Sequence, residues 1–280
     1  MAKRKNITTE ASDEMTFLQH LDVFRWHLVR SIIAVVILTG IAFAFKEIVF
    51  DHIILAPKNK DFFTNKFLCK VGQWIHTESL CLNAVDLKIV NIKLSGQFMM
   101  HLYISFFMGV ITGAPYLIWE LWRFIRPALR KHEKKHSRGA VLVSSLLFLI
   151  GVLFSYFIVV PLTLNFFGNY EVSESVKNTI ALNSYVSTVV SVTMGVGIVF
   201  EMPIIAYFLS KVGILTPAFM RSKRKIMIVI IMVIAAIITP ADIFSMFLVA
   251  IPLLILYELS IHISKRIEKR RLKREKDPYS

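Results

Sequence analysis

The residues of this chain that could do chemistry are acids placed beside bases or inside apolar stretches. Glu133 is the one acid of the segment 124–135, where five bases stand between Arg126 and Lys135. Local ion pairing with these neighbours explains such a carboxylate. A role as acceptor for a guest that carries arginines explains it as well, because a guanidinium binds a carboxylate through two parallel hydrogen bonds. The residues alone leave both interpretations open.

Glu201 is an acid inside an apolar run, where an ionisable side chain is costly if it faces lipid. It follows Gly195 and Gly197 and precedes Pro203. This pattern predicts a kinked, closely packed segment that presents one carboxylate near the middle of the membrane. The carboxylate is either a structural hydrogen-bonding group between helices, or a polar contact for a guest helix or a proton-linked switch.

The N-terminal segment 16–28 carries apolar residues at helical spacing, namely Phe17, Leu21, Phe24 and Leu28. Thr16 followed by Gln19 forms a capping-box pattern, which predicts a short interfacial helix that leads into the membrane. Such a helix serves either as an anchor that sets the angle of the first span or as a binding surface.

The motifs of common enzymes are missing from this sequence. We find no His-Glu-x-x-His, no Gly-x-Ser-x-Gly, no paired intramembrane aspartates and no glycine-rich phosphate loop. His132 and His136 lie on a basic loop that would repel a metal cation. The basic residues cluster at the ends of apolar runs, unlike those of a nucleic-acid-binding face. We expect no enzyme, no cofactor, no metal and no nucleic-acid partner.

Two cysteines, Cys69 and Cys81, both fall in the polar connection 51–96. If this connection lies outside the cytoplasm, a disulfide between them can form, whereas a reducing compartment would keep two separate thiols. Both states stay open at this point.

The composition requires a lipid environment, with 55% hydrophobic residues, 22 Phe and a mean hydropathy of +0.61. Apolar runs long enough to form membrane helices cover 28–50, 97–122, 139–167, 184–210, 226–238 and 243–262. The fifth run is short and only four residues separate it from the sixth. We predict a helical hairpin that underspans the bilayer.

Basic residues set the orientation of these spans. The segments up to Arg30, 123–138, 211–225 and from Lys265 onwards hold 5, 7, 5 and 8 Lys and Arg, which is 25 of the 33. The positive-inside rule therefore predicts that both termini are cytoplasmic. The predicted organisation is a cytoplasmic arm and interfacial helix (1–27), a six-span membrane domain (28–262) with an extracytoplasmic loop (51–96), and a basic cytoplasmic tail (263–280).

Prolines interrupt the apolar runs at Pro115, Pro161, Pro203 and Pro252, and each removes a backbone donor and favours a kink. Together with the spans they predict an all-α, polytopic membrane protein. It has six transmembrane helices, the last two of them short. Kinks along the whole layer would suit a concave wall, while four prolines in six membrane helices are also close to ordinary usage.

Four stretches together resemble one family, the TatC subunits of the twin-arginine protein translocase. They are His20 to Arg25, the pattern Phe-Ile-x-Pro-Ala-Leu-x-x-His-Glu from Phe124 to Glu133, the tetrapeptide from Phe200 to Pro203, and residues 239–245. Their order, the six spans and the predicted termini match the family over essentially the whole chain.

The resemblance implies a receptor, in the bacterial inner membrane, for signal peptides that bear two arginines. In this family it works with single-span TatA/TatB-type partners, self-associates, and moves folded precursors across the bilayer with the proton motive force and without ATP or a cofactor. It places signal-peptide binding on Leu21, Arg25, Phe124 and Glu133, an intramembrane polar site on Glu201, a structural or partner role on Pro57, and a late transport step on Asp242. Asp22 is a further candidate for signal-peptide binding, as the acid of this chain nearest to a glutamate of the family pattern.

One departure affects the second acidic contact to the arginine pair. Where the family reads His-Leu-x-Glu-Leu-Arg, this chain has Val23 in place of the glutamate and Asp22 before it. Adjacent helical positions point about 100° apart, so the two positions are not equivalent.

The rival hypotheses are a small proton-coupled secondary transporter that uses Glu201 and a membrane-embedded assembly factor without a ligand of its own.

Overall fold

The structure of the protein is a computed structural model that describes residues 17–59, 61–75, 88–125, 137–170, 173, 175, 178–239 and 243–276. Five helical stretches in this part of the chain are long and apolar enough to cross a membrane. They confirm an α-helical membrane protein. The fifth predicted span is not among them, so the count of six crossings stays a prediction.

The first two membrane helices form a pair. Helix α1 covers Phe17–Ala44 and helix α3 covers Gly96–Ile125. A Cβ atom added to Gly109 would lie 2.5 Å from Thr39 Oγ1 and 2.8 Å from the Thr39 backbone nitrogen. Gly113, one turn further, faces Leu38. The two glycines form a Gly-x-x-x-Gly pattern that lets the helix backbones approach closely.

The N-terminal segment is continuous with the first span. The predicted interfacial helix that leads into the membrane is the start of α1, which is one uninterrupted helix from Phe17 and about 42 Å long at the usual rise per residue. No glycine or proline occurs between Phe17 and Thr39 to end the helix, so the interfacial turns continue directly into the span.

Two of the four prolines coincide with breaks in their helices. Helix α4 (Ser137–Phe154) passes through a π-helical segment, Ser155–Val159, into α5 (Val160–Asn169), which has Pro161 in its first turn. Helices α6 (Leu182–Val199) and α7 (Met202–Val212) are separated at residues 200–201, directly before Pro203. Pro115 and Pro252 lie inside uninterrupted helices. The predicted kinks thus include two actual interruptions, where the missing proline N–H loosens the helix.

The last helices differ in length. After the short α8 (Pro217–Ser222), helix α9 covers Arg224–Ile238, about 22 Å, less than the roughly 30 Å of a hydrocarbon core. Helix α10 covers Ile243–Lys276 and has 34 residues. The predicted short last helix therefore describes only the apolar part of α10. The tail continues it because Lys, Arg, Glu and Leu are good helix formers.

The connection between α1 and α3 forms a small ordered cap. It contains a π-helix (Ile48–Ile54), a 3-10 helix (Ala56–Lys58), helix α2 (Phe63–Ile75) and strand β1 (Lys88–Val90). Strand β1 pairs in parallel with β2 (Thr179–Ala181), with Lys88 opposite Thr179. We call this side of the molecule the cap end. The opposite side, which carries Leu21, Phe124 and the described basic residues from Lys211 to Lys225, is the basic end.

An open cavity of about 600 Å³ lies among α3, α4 and α6 on the side of the cap. Its walls include Ile104 and Phe107 of α3, Val152 of α4 and Val189 of α6. The surface of the helix layer is therefore concave at this place. The main buried core lies beside it and includes Val159, Tyr185, Val192 and Leu253.

Candidate functional site

The basic end brings the first turns of α1 against the last turn of α3. The rings of Phe24 and Phe124 lie 5.2 Å apart between centroids, and the His27 ring lies 6.2 Å from that of Phe124. Phe124 is half-buried and Leu21 is exposed. The structure thus places the predicted binding residues Leu21 and Phe124 at the same end of one helix pair, and Phe24 adds an aromatic contact that the sequence did not single out.

Asp22 and Arg25 form an ion pair on the outer face of α1. The Arg25 Nη2 and Asp22 Oδ1 atoms are 3.1 Å apart, and the side chains are 61% to 68% exposed. Exposed pairs of this kind contribute about 0–1 kcal/mol to stability. Both charged groups can therefore exchange their partner for a guest charge at little cost. Val23 is half-buried.

A buried polar network holds α1 to α3 just inside this surface. The Nδ1 atom of His27 donates a hydrogen bond to Glu120 Oε2, and the Tyr116 hydroxyl donates to Glu120 Oε1 at 2.8 Å. Glu120 is 1% exposed, so both oxygens are satisfied inside the protein. Sequence reasoning missed this site, because Glu120 stands near the end of a span and needs no special role there. The signal that could have found it is Tyr116, one helical turn before the acid.

Glu133, to which the family resemblance assigns signal-peptide binding, lies outside the described residues, as do Asp242 and Cys81. The structure describes the chain up to Ile125 and again from Ser137. Glu133 follows Phe124 by nine residues.

Glu201 occupies the break between α6 and α7. Its carboxylate accepts a hydrogen bond from the Ser144 hydroxyl of α4 through Oε2. The other oxygen, Oε1, is buried and has no hydrogen-bond partner in the part of the chain that the structure describes. An added Cβ at Gly197 would lie 2.9 Å from the Val152 side chain, so α4 and α6 pack closely beside the break. One carboxylate oxygen therefore stays available to a further donor.

Pro57 lies in the cap and is buried. Just before it, the carbonyl oxygens of Ile53 and Ile54 accept hydrogen bonds from the hydroxyls of Tyr156 at 2.6 Å and Tyr185 at 2.8 Å. These bonds tie the segment that carries Pro57 to the membrane helices. In the same cap, Cys69 is disulfide-bonded.

Known proteins share this fold and sequence. Residues 19–252 match the profile of the family described as Sec-independent protein translocase protein (TatC). The TatC protein of Blattabacterium sp. subsp. Periplaneta americana is 37% identical over 261 residues, which cover 92% of this chain and 98% of that protein. The TatC protein of Aquifex aeolicus is 38% identical over 252 residues, or 90% and 95% of the two chains.

A solved crystal structure of the twin-arginine translocase receptor TatC superposes on the chain with a TM-score of 0.71 and 36% identity. The superposition covers 89% of this chain and 99% of the solved chain. Sequence and fold agree over nearly the full length, and the spans are those of a multi-pass membrane protein. The chain therefore belongs to the TatC family of Sec-independent protein translocase subunits.

Proposed function

We propose that this chain is the receptor subunit of a twin-arginine translocase in a bacterial inner membrane. It binds the twin-arginine signal peptides of folded precursors at the basic end and hands them on with TatA/TatB-type single-span partners. The proton motive force drives transport, and both termini face the cytoplasm. The concentration of Lys and Arg at the basic end supports this orientation.

The packing of Phe24 on Phe124 is the observation that carries the proposal. This contact joins the two segments that the family resemblance assigns to signal-peptide binding, although they are 100 residues apart in the chain. It gives a guest a surface on which the exposed Leu21, Asp22 and Phe24 of α1 lie beside Phe124, the last residue but one of α3.

Electrostatics favours recognition at this end of the helices. Two arginines cannot enter hydrocarbon cheaply, whereas interfacial carboxylates receive them while they are still partly solvated. Glu133 and Asp22 are the acids of this surface in our proposal. A lysine pair would bind less well, because an ammonium group cannot form the two parallel hydrogen bonds of a guanidinium.

Photo-cross-linking tests the proposal. A photoreactive amino acid replaces Leu21, and a precursor with an Arg-Arg or a Lys-Lys signal is offered to the full chain in membranes. We expect cross-links to the Arg-Arg precursor that the Glu133→Ala substitution abolishes while the protein stays inserted. Glu268→Ala is the matched control, because Glu268 is an exposed acid in another basic segment. Undiminished cross-linking of the Arg-Arg precursor to the Glu133→Ala variant would refute the proposal.

The other sites receive roles in the same scheme. We assign to Glu201 a polar contact for a partner or guest helix inside the membrane, to Asp242 a late transport step, and to Pro57 support of the cap. We also propose self-association of the chain and a disulfide that pairs Cys69 with Cys81. Purification in mild detergent tests the assembly, since a translocase must co-purify with single-span amphipathic partners and an isolated transporter must not.

A further inference from the structure

The cap end contains a second cavity of about 600 Å³, separate from the concave apolar one. It lies where the chain leaves α1, turns through the π-helix and enters α3. Charged, amide and apolar side chains share its lining, which is formed by Lys46, Glu47, Phe50, Asp51, Leu55, Lys58, Ile89, Asn91, Gln97, Phe98, His101 and Leu182.

Four charged residues line this cavity, two basic and two acidic, so that its formal charge is zero. Lys46, Glu47 and Asp51 are exposed and Lys58 is half-buried. None of the four belongs to an ion pair within the part of the chain that the structure describes. Opposite charges that share a cavity without pairing are available to a ligand that carries both signs.

The position of the cavity places it at the membrane boundary. The apolar span of α1 ends at Ala44 and that of α3 begins at Gly96, and the cavity lies between these two ends. Phe98 lines it and is 57% exposed, and Leu94 beside it is fully exposed. A ligand in the cavity would therefore meet both interfacial charges and lipid-facing apolar surface.

His101 lines the cavity, but its ring is already engaged by a neighbouring residue. Its ring stacks on Phe43 with centroids 4.0 Å apart, and its Nε2 lies 3.1 Å from the Phe43 carbonyl oxygen. The Asn91 amide is engaged as well, because Nδ2 donates to the Lys93 carbonyl oxygen at 2.7 Å. Gln97 remains as a neutral donor for a phosphate or glycerol oxygen.

We propose that this cavity binds the head group of a zwitterionic aminophospholipid. Lys46 and Lys58 bind its phosphate, Glu47 and Asp51 bind its primary ammonium group, and an acyl chain runs along Phe98 into the bilayer. The balance of charges selects this class, because a purely anionic head group would leave both acids without a cation and facing its own negative charge. The site is independent of signal-peptide binding.

Lipid titration of the purified full chain in mild detergent tests the proposal. We expect acyl-labelled phosphatidylethanolamine to bind about tenfold more tightly than acyl-labelled phosphatidylglycerol. The double variant Lys46→Gln, Lys58→Gln should lower the affinity for both lipids by about the same factor. The double variant Glu47→Gln, Asp51→Asn should lower the affinity for phosphatidylethanolamine and raise the affinity for phosphatidylglycerol. Lys66→Gln is the control, because Lys66 pairs with Asp61 and does not line the cavity.

The opposite changes in affinity for the two lipids in the acid variant, and the preference for phosphatidylethanolamine in the unsubstituted protein, are the decisive results. Equal affinity for both head groups in the unsubstituted protein would overturn the proposal, and this comparison does not depend on any variant being folded. Equal effects of the acid substitutions on both lipids would overturn it too. Soluble glycerophosphoethanolamine serves as competitor, and competition at the same concentration as the lipid would refute a membrane lipid as the occupant.

Discussion

Removal of one partner from the His27–Glu120 pair should destabilise the protein far more than removal of both. The two side chains are 13% and 2% exposed, so a single substitution leaves the other side chain in a largely buried position without its main partner. Glu120 would keep only the hydrogen bond from Tyr116. Breaking a buried pair in this way costs about 3–5 kcal/mol. We therefore expect Glu120→Leu and His27→Leu each to lower the free energy of unfolding by about that amount.

The double variant removes both unpaired groups and leaves apolar contact between α1 and α3. Its main remaining defect is the Tyr116 hydroxyl, which loses its acceptor Glu120 Oε1. Because Tyr116 is only half-buried, its hydroxyl can turn to another acceptor, and the loss of this one hydrogen bond costs about 0.5–1.5 kcal/mol. The double variant should therefore be clearly more stable than either single variant, and the coupling energy of the cycle should exceed about 2 kcal/mol.

Reversible unfolding in mixed detergent micelles measures these differences. The Arg224–Glu258 pair serves as matched control, because it is also a basic–acidic pair between helices, with N···O 2.7 Å, but its side chains are 48% and 44% exposed. Its cycle should give a coupling of about 0–1 kcal/mol. Additive costs for the His27 and Glu120 substitutions would refute the argument that the pair acts as one buried unit.

Two further predictions concern α1. Gly109→Ala should lower the unfolding temperature and cost about 1–3 kcal/mol, because the new methyl group would overlap the backbone of Thr39; Gly40→Ala, with nothing within 4 Å of the new methyl group, should leave the unfolding temperature unchanged or raise it. Asp22→Asn should reduce cross-linking to an Arg-Arg signal more than cross-linking to a Lys-Lys signal. Val23→Glu should increase cross-linking to the Arg-Arg signal. If neither substitution changes cross-linking, an acidic contact at this turn is excluded.

The membrane helices could be predicted closely from the sequence. The second span, predicted over 97–122, is found as Gly96–Ile125. Lipid leaves a backbone almost no alternative to the helix, so an apolar run of sufficient length determines the element. The end of α10 shows the limit of this argument, because the helix continues past His262 to Lys276 where hydropathy no longer indicates it.

Contacts between distant segments could not be predicted in the same way. His27 and Glu120 are 93 residues apart, and nothing in the spacing of either residue indicates the other. The parallel pairing of β1 with β2 also joins two short segments far apart in the chain. Close helix contacts did leave a local signal in the glycines at 109 and 113 and at 195 and 197, which are typical of closely packed membrane helices.

The buried pair explains how α1 takes one orientation on α3. None of the apolar window of α1 is buried, so α1 has little support from the rest of the molecule beyond α3. Its side chains are apolar on most sides, and the close approach of Gly109 to Thr39 favours one face of α1 toward α3. The same rotation brings His27 to Glu120 and leaves Asp22 and Arg25 exposed. The buried polar pair and the glycine contact thus favour together the orientation that the proposed binding surface requires.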